Sequence, residues 1–318
     1  MKPPYQITPG ILKLVSSISE KIGQINAKFL DKPSPQLRKE NRIKTIHSSL
    51  SIEGNTLTEE QITALLENKR VIGPIKDVSE VINAIKVYDN LSSYNPYSQN
   101  SFLDVHKVLM EGLIELPGKY RTKGVGIVTG DKITHMPPPS DKVIYLMKDL
   151  FNYLKDSEEI ELIKSCVFHY EMEFIHPFED GNGRMGRLWQ SLILMQSSPV
   201  FEFIPFENLI SKTQREYYTA LSESDKKGNS TPFIFYMLNA IDQSLNDTLN
   251  FKNRIISSED RITYFSANST KSFTRKDYML VFTDISSATA SRDLKLGVQL
   301  GVFEKKGDKK NTTYNLKP

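Results

Sequence analysis

The chain has a single cysteine, Cys166, which excludes an internal disulfide framework and a multi-cysteine zinc centre. Cys166 falls in an apolar stretch with helical spacing, where a buried, inert thiol is expected rather than a nucleophile. Apolar runs are short. None reaches the length of a membrane span, and the start, Met1-Lys2-Pro3-Pro4-Tyr5, has no apolar signal core. The expectation is therefore a cytoplasmic protein with no membrane partner. Charge of one sign is scarce as well: a net +3 over 318 residues is too small to mark nucleic acid as a general partner. What is left, 39% hydrophobic and 25% charged residues, is the composition of a soluble globular chain with room for one large domain and a small one.

Most of the chain has helical periodicity. Thr58 is an N-cap type, Gln61 three residues on completes a capping box, and Leu57 and Ile62 stand at hydrophobic-staple positions. Val78, Val81, Ile82 and Ile85 share one face of a helix over 77–91. Further helices are predicted over 102–113, 141–154, 160–175, 184–195 and 213–222, and a long one runs from the Thr231-Pro232 boundary to about Asn253. The exception is 120–139. There Val125, Ile127 and Ile133 sit among Gly124, Gly126, Gly130 and Asp131, before Pro137-Pro138-Pro139. That pattern predicts a short hairpin turning at Thr129-Gly130-Asp131-Lys132. After about Ile255 the texture changes to short helices and a basic, β-like end.

The residues that carry chemistry are gathered at 176–187. Pro177 stops the preceding helix near His176, and Leu188, Leu192 and Met195 begin another apolar face. Gly181-Asn182-Gly183 therefore lies at a helix N-terminus, where free N–H groups and the helix dipole favour an anion. Glycines allow phosphate to approach the backbone. Arg184 and Arg187, about one turn apart, add two forked cations. Asp180 offers an oxygen suited to Mg²⁺ on a polyphosphate, and His176 is a base that titrates near neutrality. Two other patterns overlap this segment. The glycine spacing matches a dinucleotide motif, with Glu202 beyond it, but that motif must follow a strand. Glu173-Phe174-Ile175-His176 matches half of a di-iron site, but no second copy exists. The remaining alternative is a glycine-rich helix junction whose arginines pair with surface carboxylates.

His176-Pro177-Phe178-Glu179-Asp180-Gly181-Asn182-Gly183-Arg184-Met185-Gly186-Arg187 resembles the signature of Fic-domain proteins at every fixed position, and the likeness covers about 103–245. The resemblance implies a mainly α fold. Its parts would be a Fic-type helical bundle over 101–253 with a β-hairpin flap, an N-terminal helical region over 1–100, and a winged helix-turn-helix over 254–318. It also implies transfer of AMP from ATP to a Ser, Thr or Tyr hydroxyl of a target protein, a nucleotidyltransferase reaction. His176 would be the base and Asp180 the Mg²⁺ ligand. Gly181, Asn182 and Gly183 would cradle the α- and β-phosphates, Arg184 and Arg187 would hold the β- and γ-phosphates, and Met185 and Gly186 complete the nucleotide-binding segment. Phe178 would anchor the loop.

The same likeness extends to other segments. Val125, Gly126, Ile127 and Val128 would form the flap that lies over the nucleotide and receives the target as an added strand. Tyr217 and Tyr218 match a pair lining the adenine pocket, and Asp225 stands where some relatives contact the nucleotide. Ser49-Leu50-Ser51-Ile52-Glu53-Gly54 matches the family's inhibitory pattern, so that Glu53 would pair with Arg187, occupy γ-phosphate space and hold the enzyme off. Without that likeness the segment is a helix C-terminus with a glycine cap. The same glutamate supports AMP removal in some relatives. A DNA-binding regulator that senses nucleotide is the alternative of another class; DNA contact, target docking and a homodimer interface are the roles open to the C-terminal segment.

Overall fold

The helix boundaries follow from the chemistry of their first and last residues. The computed structural model describes residues 2–29, 35–129, 132–250, 258–268, 272–282, 285–307 and 312–316. It begins with α1 (Pro9–Phe29), α2 (Pro35–Ser51), α3 (Glu59–Leu66) and α4 (Ile75–Asp89). At the start of α3 the Gln61 N–H donates to the Thr58 hydroxyl at 3.3 Å and the Thr58 N–H donates to Gln61 Oε1 at 2.9 Å. This is a reciprocal capping box, and Leu57 and Ile62 beside it are buried. At the end of α2 the Asn55 N–H donates to the Leu50 carbonyl at 3.1 Å and the Gly54 N–H to Ser51 at 3.0 Å. Gly54 has φ +89°, a left-handed value at the position where a Schellman turn requires one.

The chain continues through α5 (Gln99–Leu109), β1 (Ile127–Thr129), β2 (Lys132–His135), α6 (Ser140–Asp156), α7 (Glu161–Ile175) and α8 (Asn182–Ser197). Then come α9 (Phe206–Lys212), α10 (Gln214–Lys227) and α11 (Thr231–Asn250). α7 and α8 are buried on nearly all sides, which is why α7 shows little amphipathicity in sequence. They approach closely where Gly186 meets His169: a Cβ on Gly186 would stand 2.6 Å from the imidazole. Phe102 of α5 packs edge-on against Trp189 of α8 with ring centroids 4.9 Å apart, and also meets Phe151 and Phe168. Truncating such a buried aromatic costs about 3–5 kcal/mol. β1 and β2 form the antiparallel hairpin, with Thr129 opposite Lys132; Gly130 and Asp131 of the predicted turn lie outside the described residues. These elements make up one compact unit, Met1–Leu249. No described helix is long and apolar enough to cross a membrane.

The second unit, Asn250–Pro318, contains α12 (Ser258–Asn268), β3 (Ser272–Phe273), α13 (Arg275–Val281), α14 (Ser287–Gln299), β4 (Phe303–Lys306) and β5 (Thr313–Leu316). Its core is its own: Ile262, Phe265, Phe273, Tyr278, Leu294 and Phe303. The sheet order is β3-β5-β4, antiparallel throughout. β3 was not expected from the sequence, because a two-residue strand leaves no alternation to detect. The tip of the basic hairpin, residues 308–311, lies outside the described residues.

Candidate functional site

The segment between α7 and α8 is a tightly pinned loop. α7 ends at His176, which takes a left-handed φ of +50° and whose N–H donates to Met172 at 2.9 Å. Pro177 follows and cannot continue the helix. Phe178 is fully buried, stacked on the His106 ring at 3.5 Å with 5° between planes. Asn182 closes the loop on itself: its Oδ1 accepts the Phe178 N–H and its Nδ2 donates to the Phe178 carbonyl, both at 2.9 Å. Gly181, with φ +86°, is the N-cap of α8, and a Cβ there would meet Met110 Sδ at 2.7 Å. Glycine is required on both counts. The Gly181 N–H donates to Asp180 Oδ1 at 2.6 Å.

Arg184 and Arg187 follow on α8, both buried. Arg184 donates to Asp180 Oδ1 at 2.9 Å and to Glu80 Oε1 at 3.0 Å. Arg187 donates to the Ser49 hydroxyl at 3.1 Å, to the Ser49 carbonyl at 2.8 Å and to Glu53 Oε1 at 2.7 Å. Burial, the largest single influence, pulls the Arg187 pKa down, but Glu53, Tyr217 and Glu173 together outweigh it and the net direction is up, so the guanidinium stays charged. The Glu53 carboxylate lies over the first turn of α8, where a Cβ on Gly183 would run into it. Ser49, Glu53, Gly183 and Arg187 are thus brought together, Asp180 is tied to the same helix through Arg184, and the glycine-capped end of α2 is the same structure that delivers Glu53.

Other sequence candidates are placed differently. Met185 is fully buried in the core and Gly186 serves the α7–α8 contact. The Tyr217 hydroxyl lies 3.0 Å from His169 Nε2, and the ring is buried against Phe233; Tyr218 is 49% exposed. Asp225 accepts the Tyr170 hydroxyl at 2.9 Å. Val125 is half-buried and Gly126 exposed, and Ile127 and Val128 lie on β1.

Three comparisons bear on identity. The Fic/DOC family model matches residues 96–194. A Fic family protein from Desulfovibrio desulfuricans G20 is 36% identical, superimposes with a TM-score of 0.76, and is matched over 100% of this chain and 98% of its own. The chain belongs to the Fic family. The Fic-1 structure from Caenorhabditis elegans (aa134–508), 24% identical with a TM-score of 0.64 over 76% of this chain and 73% of its own, shares the fold. Protein adenylyltransferase fic-1 of Caenorhabditis briggsae is 30% identical over 60% of this chain and 38% of its own length. Protein adenylyltransferase Fic of Nematostella vectensis is 26% identical over 74% and 57%. The chain therefore spans less than two thirds of these curated relatives.

Within the Fic loop, three contributors went unread in the sequence. His106 accepts the Gly118 N–H on Nδ1 at 2.9 Å, which leaves Nε2–H to donate to the Asp180 carbonyl at 3.0 Å. Burial holds its pKa down at about 4. Glu80 comes from the middle of α4, and Arg121 bonds to main chain on both sides of the hairpin. A lone histidine, glutamate or arginine carries no spacing signal that would have singled it out. Among the described residues no group of three His, Cys, Asp or Glu side chains gathers around a metal position. Asp180 nevertheless fits a phosphate-bound Mg²⁺: its side chain is 46% exposed, and Mg²⁺ takes one or two carboxylates while phosphate and water complete its shell.

Proposed function

We propose that this Fic protein is a protein adenylyltransferase that moves AMP from ATP to a Ser, Thr or Tyr hydroxyl of a target protein, and that Glu53 inhibits it. The observation that carries the reading is the Glu53 carboxylate, seated at the N-terminus of α8 between Gly183 and Arg187. An internal anion stands where the dipole and the arginine would receive a phosphate. The names of the adenylyltransferase relatives agree with this.

The target hydroxyl oxygen attacks the α-phosphorus, the bond to the β-phosphate oxygen breaks, and pyrophosphate leaves. His176 accepts the hydroxyl proton. The backbone at Gly181, Asn182 and Gly183 receives the α- and β-phosphates, and Arg184 and Arg187 receive the β- and γ-phosphates once Glu53 has been displaced. Mg²⁺ held by Asp180 would neutralise phosphate charge. The Asn182 side chain contributes by fixing the loop, since both of its polar ends are spent on Phe178. Positioning and charge stabilisation supply most of the rate in such transfers. The target adds a strand along Val125–Val128, Tyr218 borders the adenine, and the second unit, in the order α12-β3-α13-α14-β4-β5, serves as a winged helix-turn-helix.

The test is labelling of proteins in a lysate by the Glu53→Gly variant, with ATP carrying label at the α- or the γ-phosphate. Label from the α position alone is expected, and His176→Ala should abolish it. Label from the γ position would indicate a kinase and overturn the reading.

A further inference from the structure

Arg121 is the most heavily committed side chain near the loop that the proposed chemistry does not use. It is 3% exposed, and its guanidinium donates to four main-chain carbonyls. Nε reaches His176 at 2.7 Å; one terminal nitrogen reaches Lys123 at 3.0 Å; the other reaches Pro138 at 2.6 Å and Ile175 at 3.3 Å. Its backbone N–H donates to Pro177 at 2.9 Å. Burial lowers its pKa, the cost of taking a cation out of water, and charge-assisted hydrogen bonds offset that cost.

The acceptors fall into two sets. Ile175, His176 and Pro177 form the turn that closes α7, and His176 stands there in left-handed backbone, which a residue with a Cβ holds only when its surroundings enforce it. Lys123 and Pro138 are the two feet of the hairpin, one before β1 and one after β2. A single rigid fork therefore joins the turn that aims His176 to both ends of the segment that receives the target. Lysine could not reproduce this, because its three donors radiate from one point.

We propose that Arg121 is a positioning residue that holds His176 and the hairpin in one frame, so that base and docked hydroxyl meet in register. This rests on the adenylyltransferase reading of His176 and the hairpin. The test is Arg121→Lys in the full chain carrying Glu53→Gly. It is read as kcat and KM for ATP, as tryptic cleavage after the exposed Lys123, and as the melting temperature. We expect kcat to fall on the order of 10²-fold while KM for ATP moves less than about threefold, with cleavage after Lys123 at least about tenfold faster and a lowered melting temperature from the lost hydrogen bonds. A kcat within threefold of the parent with unchanged cleavage overturns the proposal. So does a loss of ATP affinity in step with kcat, which marks a merely structural residue. If the Glu53→Gly parent transfers no AMP, the functional reading has failed; the cleavage rate after Lys123 then still decides whether Arg121 ties the hairpin down.

Discussion

Arg184 and Arg187 stand one turn apart on α8, and two different regions of the N-terminal part supply their carboxylates. Glu80 comes from the middle of α4, with its side chain 6% exposed, and also accepts Asn55 Nδ2 at 2.9 Å. Glu53 comes from the capping turn that ends α2, and its side chain is 26% exposed. The ion-pair lengths are close, 3.0 and 2.7 Å, but the settings are not. A pair sealed on both sides is structural, because removing Glu80 leaves the buried guanidinium with only the half-exposed Asp180 as its counter-ion. A pair whose acid reaches solvent from a glycine-capped turn can open, since water and a competing phosphate can replace the carboxylate. On this difference rests our proposal that Glu80 belongs to the frame and Glu53 to the switch.

The largest expected effect breaks the sealed pair. Glu80→Ala should destabilise the chain by about 3–5 kcal/mol, measured by urea denaturation, without raising AMP transfer. Glu207 sharpens the comparison as a buried acid whose oxygens meet the hydroxyls of Ser191 and Thr45 at 3.3 and 3.5 Å. Burial pushes its pKa from near 4.5 to about 7, against a smaller lowering by Arg187. The folded chain keeps a proton that the unfolded chain releases, so the contribution is whole below pH 4.5 and is lost as pH rises through 7. Unfolding free energy should fall by up to about 3 kcal/mol across that window, and Glu207→Gln should flatten the profile.

Smaller effects lie on the switch side. Ser49→Ala removes the hydroxyl that accepts Arg187 Nε and should cost about 1–2 kcal/mol, with a partial rise in transfer. Combined with Glu53→Gly it should be non-additive, because both contact one guanidinium. Glu53→Gly alone should lower stability by about 1.5–3 kcal/mol, because the buried Arg187 keeps only the Ser49 oxygens.

Much of this was legible in the sequence because it is local. The Thr58–Gln61 capping box, the stop at Pro177 and the glycine-arginine loop are each written within a few residues. Gly54 shows the limit: its pattern allows a plain helix cap or an inhibitory segment, and only the fold reveals that the capped turn brings Glu53 to Arg187. Glu80 and Arg121 were illegible because their partners lie 104 residues away in Arg184 and 55 residues away in His176. The helix over Phe206–Lys212 was missed because it is short and follows Pro199 and Pro205, residues that argue for an irregular segment.

We infer that the Glu53–Arg187 pair closes an otherwise assembled AMP-transfer site. The direct measurement is the initial rate of protein labelling from α-labelled ATP by Glu53→Gly and by the unaltered chain, at equal protein and saturating nucleotide. One charge-assisted hydrogen bond of about 1.5–3 kcal/mol predicts a rise of roughly 10- to 100-fold, abolished by His176→Ala in the same background. Equal rates for the two proteins would contradict the account.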